Sequence, residues 1–213
     1  MNAALSMKIL ALEFSSSQRA VAVAKDENVL TTVATDNLKT SPLTLIDEAL
    51  QKARLDRTTI EAIALGIGPG SYTGIRSAIA TAQGWQLARN VKLLPISSAE
   101  VLAATTRANG QRGETHLLID AQRNECYHAT WNLTDENQTE TAPLRIIDMG
   151  EATRHESFGP DLPKVPNCQP LCPDAAILAQ LAANRTDFQP GETIEPIYLR
   201  PTEFVKAPPP RKL

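Results

Sequence analysis

Several scarcities bound this chain before any motif is read. Cysteine occurs three times in 213 residues, at Cys126, Cys168 and Cys172. The odd number, with no secretory signal ahead of it, excludes a disulfide-stapled secreted scaffold and fits reduced thiols in a cytoplasm. Cys168 and Cys172 would supply half of a zinc site, but no second Cys or His pair completes it. Histidine is as rare. His116, His128 and His155 are too far apart to share one helical face, and the first two fall in expected strands, so no metal site is expected. Positive charge is not in excess: the formal net charge is −3. That excludes a surface holding nucleic acid by electrostatics alone, and an RNA substrate would need a partner to carry most of the contact. No apolar run is long enough to span a membrane. Met1 to Ser6 lack a basic segment and a cleavage site and read as a short leader before the first strand. What remains, 42% apolar and 21% charged residues, is the composition of a globular protein with room for one large or two small cores.

The chain is organised around residues 60–90. The isoleucine-rich run Ile60 to Ile67 reads as a buried parallel strand, Gly68-Pro69-Gly70-Ser71-Tyr72-Thr73-Gly74 as a tight turn, and Ile75 to Ala88 as a helix. Small residues recur every fourth position in two rows, Gly74, Ala78, Ala82 and Ala80, Gly84, Ala88, so another helix could approach closely. Arg76 sits in the first turn, where the macrodipole disfavours a cation by roughly 0.3–1 kcal/mol. An acidic partner is expected for it, either Glu13, Glu100 or Asp120 within the chain, or a partner protein or phosphate outside it. Ser71 reads as the helix cap rather than a nucleophile, because no histidine is near. Tyr72 either packs between strand and helix or faces a partner. The glycine turn lacks the lysine of a Walker loop, and its position several strands into the chain excludes a dinucleotide fingerprint.

Taken in order, strands are expected at Met7–Phe14, Ala20–Ala24 and Val29–Ala34. A helix opened by Ser41 and Pro42 follows, then the central strand and helix, a strand near Val91–Ile96 and a helix capped by Ser98. The order βββαβαβα with right-handed crossovers is the ribonuclease-H-like arrangement of the actin, Hsp70 and sugar-kinase superfamily. After a polar, glycine-containing linker the outline begins again: Thr115–Gln122, Cys126–Trp131 and Leu144–Asp148 read as strands. Residues 150–172 are then too broken by Gly and Pro for another buried strand and helix, and Pro173–Ala183 gives one last helix. The expected organisation is a complete lobe over 1–109, an abbreviated second lobe over 110–200, and a mobile Pro-rich tail over 201–213.

The central glycine motif, Asp120-Ala121-Gln122-Arg123-Asn124-Glu125-Cys126-Tyr127, and Ile194-Glu195-Pro196-Ile197-Tyr198-Leu199-Arg200 together resemble the TsaB (YeaZ) family. Departures are Glu13-Phe14 where Asp-Thr is usual, Gln122 for arginine and Cys126 for valine. The resemblance implies a non-catalytic relative of the TsaD enzymes. Such a protein pairs with a TsaD-type catalytic subunit and a TsaE-type ATPase to make threonylcarbamoyladenosine beside the anticodon, meets tRNA only through the complex, and forms a homodimer when alone. It also implies an interface on the central helix, for which Tyr72, Ile75, Arg76, Ala78, Ile79, Ala82 and Gln83 are expected to serve. No catalytic residue and no tightly bound cofactor are implied. Glu13, Ser15, Ser16 and Asp120 would mark a vestigial nucleotide site, with ATP or ADP and Mg²⁺ confined to a place between subunits. The competing reading is a small ATP-dependent phosphotransferase of the acetate- or sugar-kinase type, using Glu13, Asp120 and Ser15 to Ser17 around ATP. A glycopeptidase reading would need a metal that these histidines cannot hold.

Overall fold

A computed structural model describes residues 6–160, 162 and 164–200. The tail over 201–213, and all but Ser6 of the expected leader, lie outside the described residues. The first sheet contains β1 (Lys8–Glu13), β2 (Arg19–Lys25), β3 (Asn28–Thr35), β4 (Ala62–Gly66) and β5 (Lys92–Ile96) in the order β3-β2-β1-β4-β5. The β1–β2 and β2–β3 pairs are antiparallel; β1–β4 and β4–β5 are parallel. Helices α1 (Pro42–Ala53), α2 (Tyr72–Arg89) and α3 (Ser98–Ala108) make the connections. This is the ribonuclease-H-like arrangement expected from the element order.

Period-two alternation sets what covers each face of that sheet. Leu10, Leu12, Val21, Val23, Ile63 and Leu65 point to one side and pack against Ile46, Leu50, Ile75 and Ala78 of α1 and α2. Ala11, Ala20, Ala22, Ala24, Ala62 and Ala64 point to the other, and a helix can lie close on this shallow floor. The helix that does so is α5 (Ala175–Ala183), through Ala175, Leu178, Ala179 and Ala182. Although α5 follows the second sheet in sequence, it covers the first. Conversely, α3 presents Ala99, Leu102 and Ala103 to the second sheet. The two lobes therefore exchange helices across their boundary.

The second sheet is made of β6 (Gly113–Asp120), β7 (Glu125–Leu133), β8 (Gln138–Asp148), β9 (Ser157–Gly159) and β10 (Cys168–Pro170) in the order β10-β9-β6-β7-β8. With β6–β7 and β7–β8 antiparallel and β6–β9 and β9–β10 parallel, it repeats the first sheet strand for strand. This corrects the expectation that residues 150–172 hold no further buried strand. They hold two strands of three residues each, and β9 is buried at Ser157 and Gly159. Gly159 is what allows it: a Cβ there would lie 1.8 Å from the Leu118 carbonyl oxygen, so only glycine lets β9 approach β6. The abbreviation lies in strand length and helices. Only α4 (Met149–Ala152), four residues long, stands between β8 and β9.

Candidate functional site

The glycine turn at the end of β4 is shaped by the end of β1. A Cβ on Gly70 would meet the Ser15 carbonyl oxygen at 2.1 Å, and one on Gly74 the Phe14 carbonyl oxygen at 1.9 Å. Ser71 N–H donates to Ser15 O at 2.7 Å. The glycines thus admit backbone against backbone, and the Ser15 carbonyl fills the space that a phosphate loop would leave open. Ser71 caps α2, its Oγ accepting from Gly74 N–H at 3.3 Å.

Glu13 lies beneath this turn and is sealed from solvent. Ser15 N–H donates to its Oε1 at 2.9 Å and Ser98 Oγ–H reaches both oxygens at 3.3 Å, while Gly68 N–H donates to Ser98 Oγ at 3.1 Å. A Cβ on Gly66 would sit 2.1 Å from the carboxylate, so Gly66 makes its room. Burial pushes the carboxyl up to about 7, against the lowering effect of the Ser15 and Ser98 hydrogen bonds. Ser98 is therefore spent on Glu13, and the residue at the cap position of α3 is Ser97.

Above Glu13 a cleft of about 570 Å³ opens between the lobes. Of the four residues expected at a nucleotide site, Ser15, Ser16 and Asp120 line it. Glu13 does not, which corrects its placement: a fully buried carboxyl held by two serines cannot meet Mg²⁺ or a phosphate. Asp120 ends β6 as Glu13 ends β1, yet both its oxygens are taken by Gln122, through N–H at 2.7 Å and Nε2 at 2.6 Å. Gln122, Arg123 and Asn124 follow at φ 63°, 57° and 62°, a left-handed run without glycine. In this cleft the glycine turn, packed against Ser15, offers no open cradle for a phosphate, and Asp120 is held by Gln122.

A strap closes one end of the cleft. Ile197 N–H donates to Ile67 O at 2.9 Å, Tyr198 stacks on Tyr72 with centroids 5.4 Å apart, and Arg200 pairs with Glu125. Tyr72 is 59% exposed, so it does not pack between strand and helix. The Arg76 guanidinium lies 5.1 Å from the Tyr72 ring centroid. None of the three acids expected within the chain pairs with it. Glu13 is sealed, Glu100 bonds Arg185 at 3.1 Å, and Asp120 bonds Gln122. Sequence reasoning used Tyr198 and Arg200 only as parts of a motif and missed this bracing.

The two small-residue rows of α2 part company. Gly74, Ile75, Ala78, Ile79 and Ala82 are buried against the chain's own sheet. The interface expectation for Ile75, Ala78, Ile79 and Ala82 is thereby corrected: those side chains are core. Gln83 is engaged as well, its Nε2 donating to Gly191 O at 2.7 Å. The open row is Ala80, Gly84 and Ala88, all exposed. With Pro42, Leu43 and Trp85 it lines a largely apolar groove of about 730 Å³ between α1 and α2, rimmed by Arg57 and Arg89. Leu43 is 51% and Leu87 90% exposed beside it.

The three histidines, far apart in sequence, meet on the outer face of the second sheet, because the β6–β7 register sets His116 opposite Thr130 and His128 opposite Leu118. No group of three His, Cys, Asp or Glu side chains among the described residues is disposed to hold a metal ion.

Comparison with known proteins places this geometry. Residues 12–167, most of the chain, match the family model described as TsaD, tRNA N6-adenosine threonylcarbamoyltransferase. The tRNA threonylcarbamoyladenosine biosynthesis protein TsaB of Haemophilus influenzae is 35% identical over 85 residues, 40% of this chain and 36% of that protein. TsaB of Escherichia coli is 35% identical over 97 residues, 45% of this chain and 41% of that protein. The matches thus span about two fifths of the length of these curated relatives. The solved structure of YeaZ from Pseudomonas aeruginosa superposes with a TM-score of 0.76 at 23% identity, over 91% of this chain and all of that one, which shows the same fold. With the family model matched from β1 to the loop before β10, and the glycine turn, the Asp120 segment and the Tyr198 strap all in place, the chain belongs to the TsaB (YeaZ) family.

Proposed function

We propose that this protein is a subunit without chemistry of its own in the synthesis of threonylcarbamoyladenosine on tRNA. It pairs in the cytoplasm with a TsaD-type catalytic subunit and serves a TsaE-type ATPase through that pair. The observation that carries this reading is the open Ala80-Gly84-Ala88 row beside Leu43 and Leu87, a shallow apolar groove into which a partner's helix fits. The same surface serves a homodimer when the partner is missing. Glu13, sealed from solvent and absent from the cleft lining, and Asp120, held by Gln122, support the absence of catalysis by this chain. Among the described residues no helix is long and apolar enough to cross a membrane. A nucleotide between subunits would need residues that the partner supplies. Contact with tRNA passes through the complex, in keeping with the net charge of −3.

The test is Gly84→Arg. A Cβ there meets nothing within 4 Å, so the variant is expected to fold with a melting temperature no lower than the parent's, to lose co-purification with the TsaD-type subunit, and to lower threonylcarbamoyladenosine in tRNA nucleoside digests. Undiminished co-purification and an unchanged modification level would overturn the reading. Bulky substitutions at Ala78 or Ala82 are instead expected to unfold the first lobe.

A further inference from the structure

The histidine cluster has no part in this function. Its three rings come from three elements: His116 from β6, His128 from β7, and His155 from the exposed turn between α4 and β9. His116 Nδ1 and His128 Nε2 are 3.1 Å apart, so one hydrogen lies between them and one nitrogen accepts it. The His155 ring lies 4.1 Å from that of His116, tilted by 34°, and 6.4 Å from that of His128, tilted by 10°. The surroundings contain little to hold added charge. Glu114, on β6, stands 3.7 Å from His116 Nε2. Arg145, opposite His128 on β8, is a cation, and the nearest carboxylate of α4, Glu151, is already paired with it. Arg154 and Glu156 flank His155 and are exposed. From β9 comes only Ser157, whose buried hydroxyl has no hydrogen-bond partner, and the buried His128 Nδ1 likewise has none.

One added proton can be accommodated here, on His116 toward Glu114. A second sets protonated rings side by side, with centroids 4.1–6.4 Å apart, next to the Arg145 cation on the adjacent strand, and like charges so close repel. Something must then move. His116 and His128 are fixed in strands, whereas His155 is exposed and sits on a turn whose segment is tied by Met149 N–H to Asn124 O at 3.3 Å and Asn167 Nδ2 to Thr153 O at 2.9 Å. Its further ties are the Arg145–Glu151 pair, Glu151 N–H to Asp148 Oδ1 at 2.8 Å, Cys126 Sγ to Met149 Sδ at 3.6 Å, and Ala152, which packs on Leu118, Cys126 and Ile147.

We propose that His116, His128 and His155 form a proton-operated latch: neutral, they hold the 149–156 flap against the outer face of the second sheet, and multiply protonated, they release it. The proposal is independent of the pairing function. It reaches the interlobe cleft nonetheless, because Asn124, which accepts from Met149, belongs to the left-handed turn at the cleft's edge, and β9 leads directly into Pro160 on its wall.

The chain has only three histidines, so their imidazole proton resonances can be followed individually while amide hydrogen exchange reports on the flap. The expected result has two parts. His128 titrates near 4, and His116 below the ordinary 6.5. Once intrinsic exchange rates are corrected for, amides 149–156 lose protection as the pH falls through that range, while β6 and β7 stay protected. In His155→Phe, which keeps a ring in the stack and removes its charge, flap opening should move to lower pH and the His116 midpoint should rise. Midpoints near 6.5 for His116 and His128 that His155→Phe does not alter would overturn the latch, as would a flap that opens only with global unfolding. His155 is exposed, so this variant tests the latch without challenging the core.

Discussion

The two sheets share one topology and differ in what covers them. Each runs third, second, first, fourth, fifth strand, and each first strand ends in an acid, Glu13 or Asp120. The first sheet carries α1 and α2, 12 and 18 residues long, on its outer face. The second carries the four-residue α4 and loops. In the first lobe the acid shares the face of Ala11, is sealed against Ser98 of α3, and burial pushes its carboxyl up to about 7. On the outer face of the second sheet lie His116 and His128 instead, and burial lowers the pKa of both. The same strand order thus yields opposite proton chemistry, because desolvation penalises whichever form is charged.

The largest expected effect breaks this comparison by the same small insult in each lobe. Gly74→Ala and Gly159→Ala each drive a Cβ into a carbonyl oxygen, at 1.9 and 1.8 Å, where neither backbone can give. Overpacking of this kind costs about 1–3 kcal/mol or more. In the first lobe the strained elements are α2 and β1, so denaturant melts should show Gly74→Ala destabilising the whole protein. In the second the strained element is a three-residue strand, so Gly159→Ala should free β9 and β10 in hydrogen exchange while the global midpoint falls less.

Proton linkage sharpens the comparison next. Glu13 rises from 4.5 to about 7 on folding. Its contribution to stability is therefore full below about 4.5 and is lost as the pH rises to 7, on the order of 3 kcal/mol. His128 falls from 6.5 to about 4. Its contribution is full above 6.5 and is lost as the pH falls toward 4, with solvent screening reducing the effect to about 1–2 kcal/mol. Over the shared window the two slopes oppose each other. Urea melts should show Glu13→Gln tilting the profile toward acid lability and His128→Asn tilting it the other way. Parallel profiles for the two variants would mean that the lobes do not differ in this respect.

The smallest expected effect lies on the open row. Gly84→Ala should raise the melting temperature of the isolated protein, by about 0.5–1 kcal/mol of stability, since glycine in an exposed helix interior is unfavourable and nothing crowds the new methyl.

Much of the first lobe was legible from local pattern. The Val21 and Val23 alternation with Ala20, Ala22 and Ala24 marks a strand between two different surfaces, and Ser71 marks the start of α2. The second lobe was harder to read because β9 and β10 are too short for any periodicity, and Gly159 reads as punctuation until its neighbour is known. At the site, Ser15, Ser16 and Asp120 could be placed from their positions at strand ends. Glu13 was misjudged because a strand-end acid looks the same in sequence whether it is open or sealed. The choice between the two rows of α2 was hidden for a related reason: both consist of small residues, so periodicity defines two faces without saying which one meets the sheet.

The amino-acid order by itself determined the elements, their alternation and the glycine turn, since these depend on φ/ψ preference and on neighbours one to four residues away. Only the tertiary structure decided that α5 crosses to the first sheet, that Ala80, Gly84 and Ala88 face outward, and that three histidines meet. Each of those outcomes depends on register and packing between residues dozens of positions apart, which no local pattern encodes.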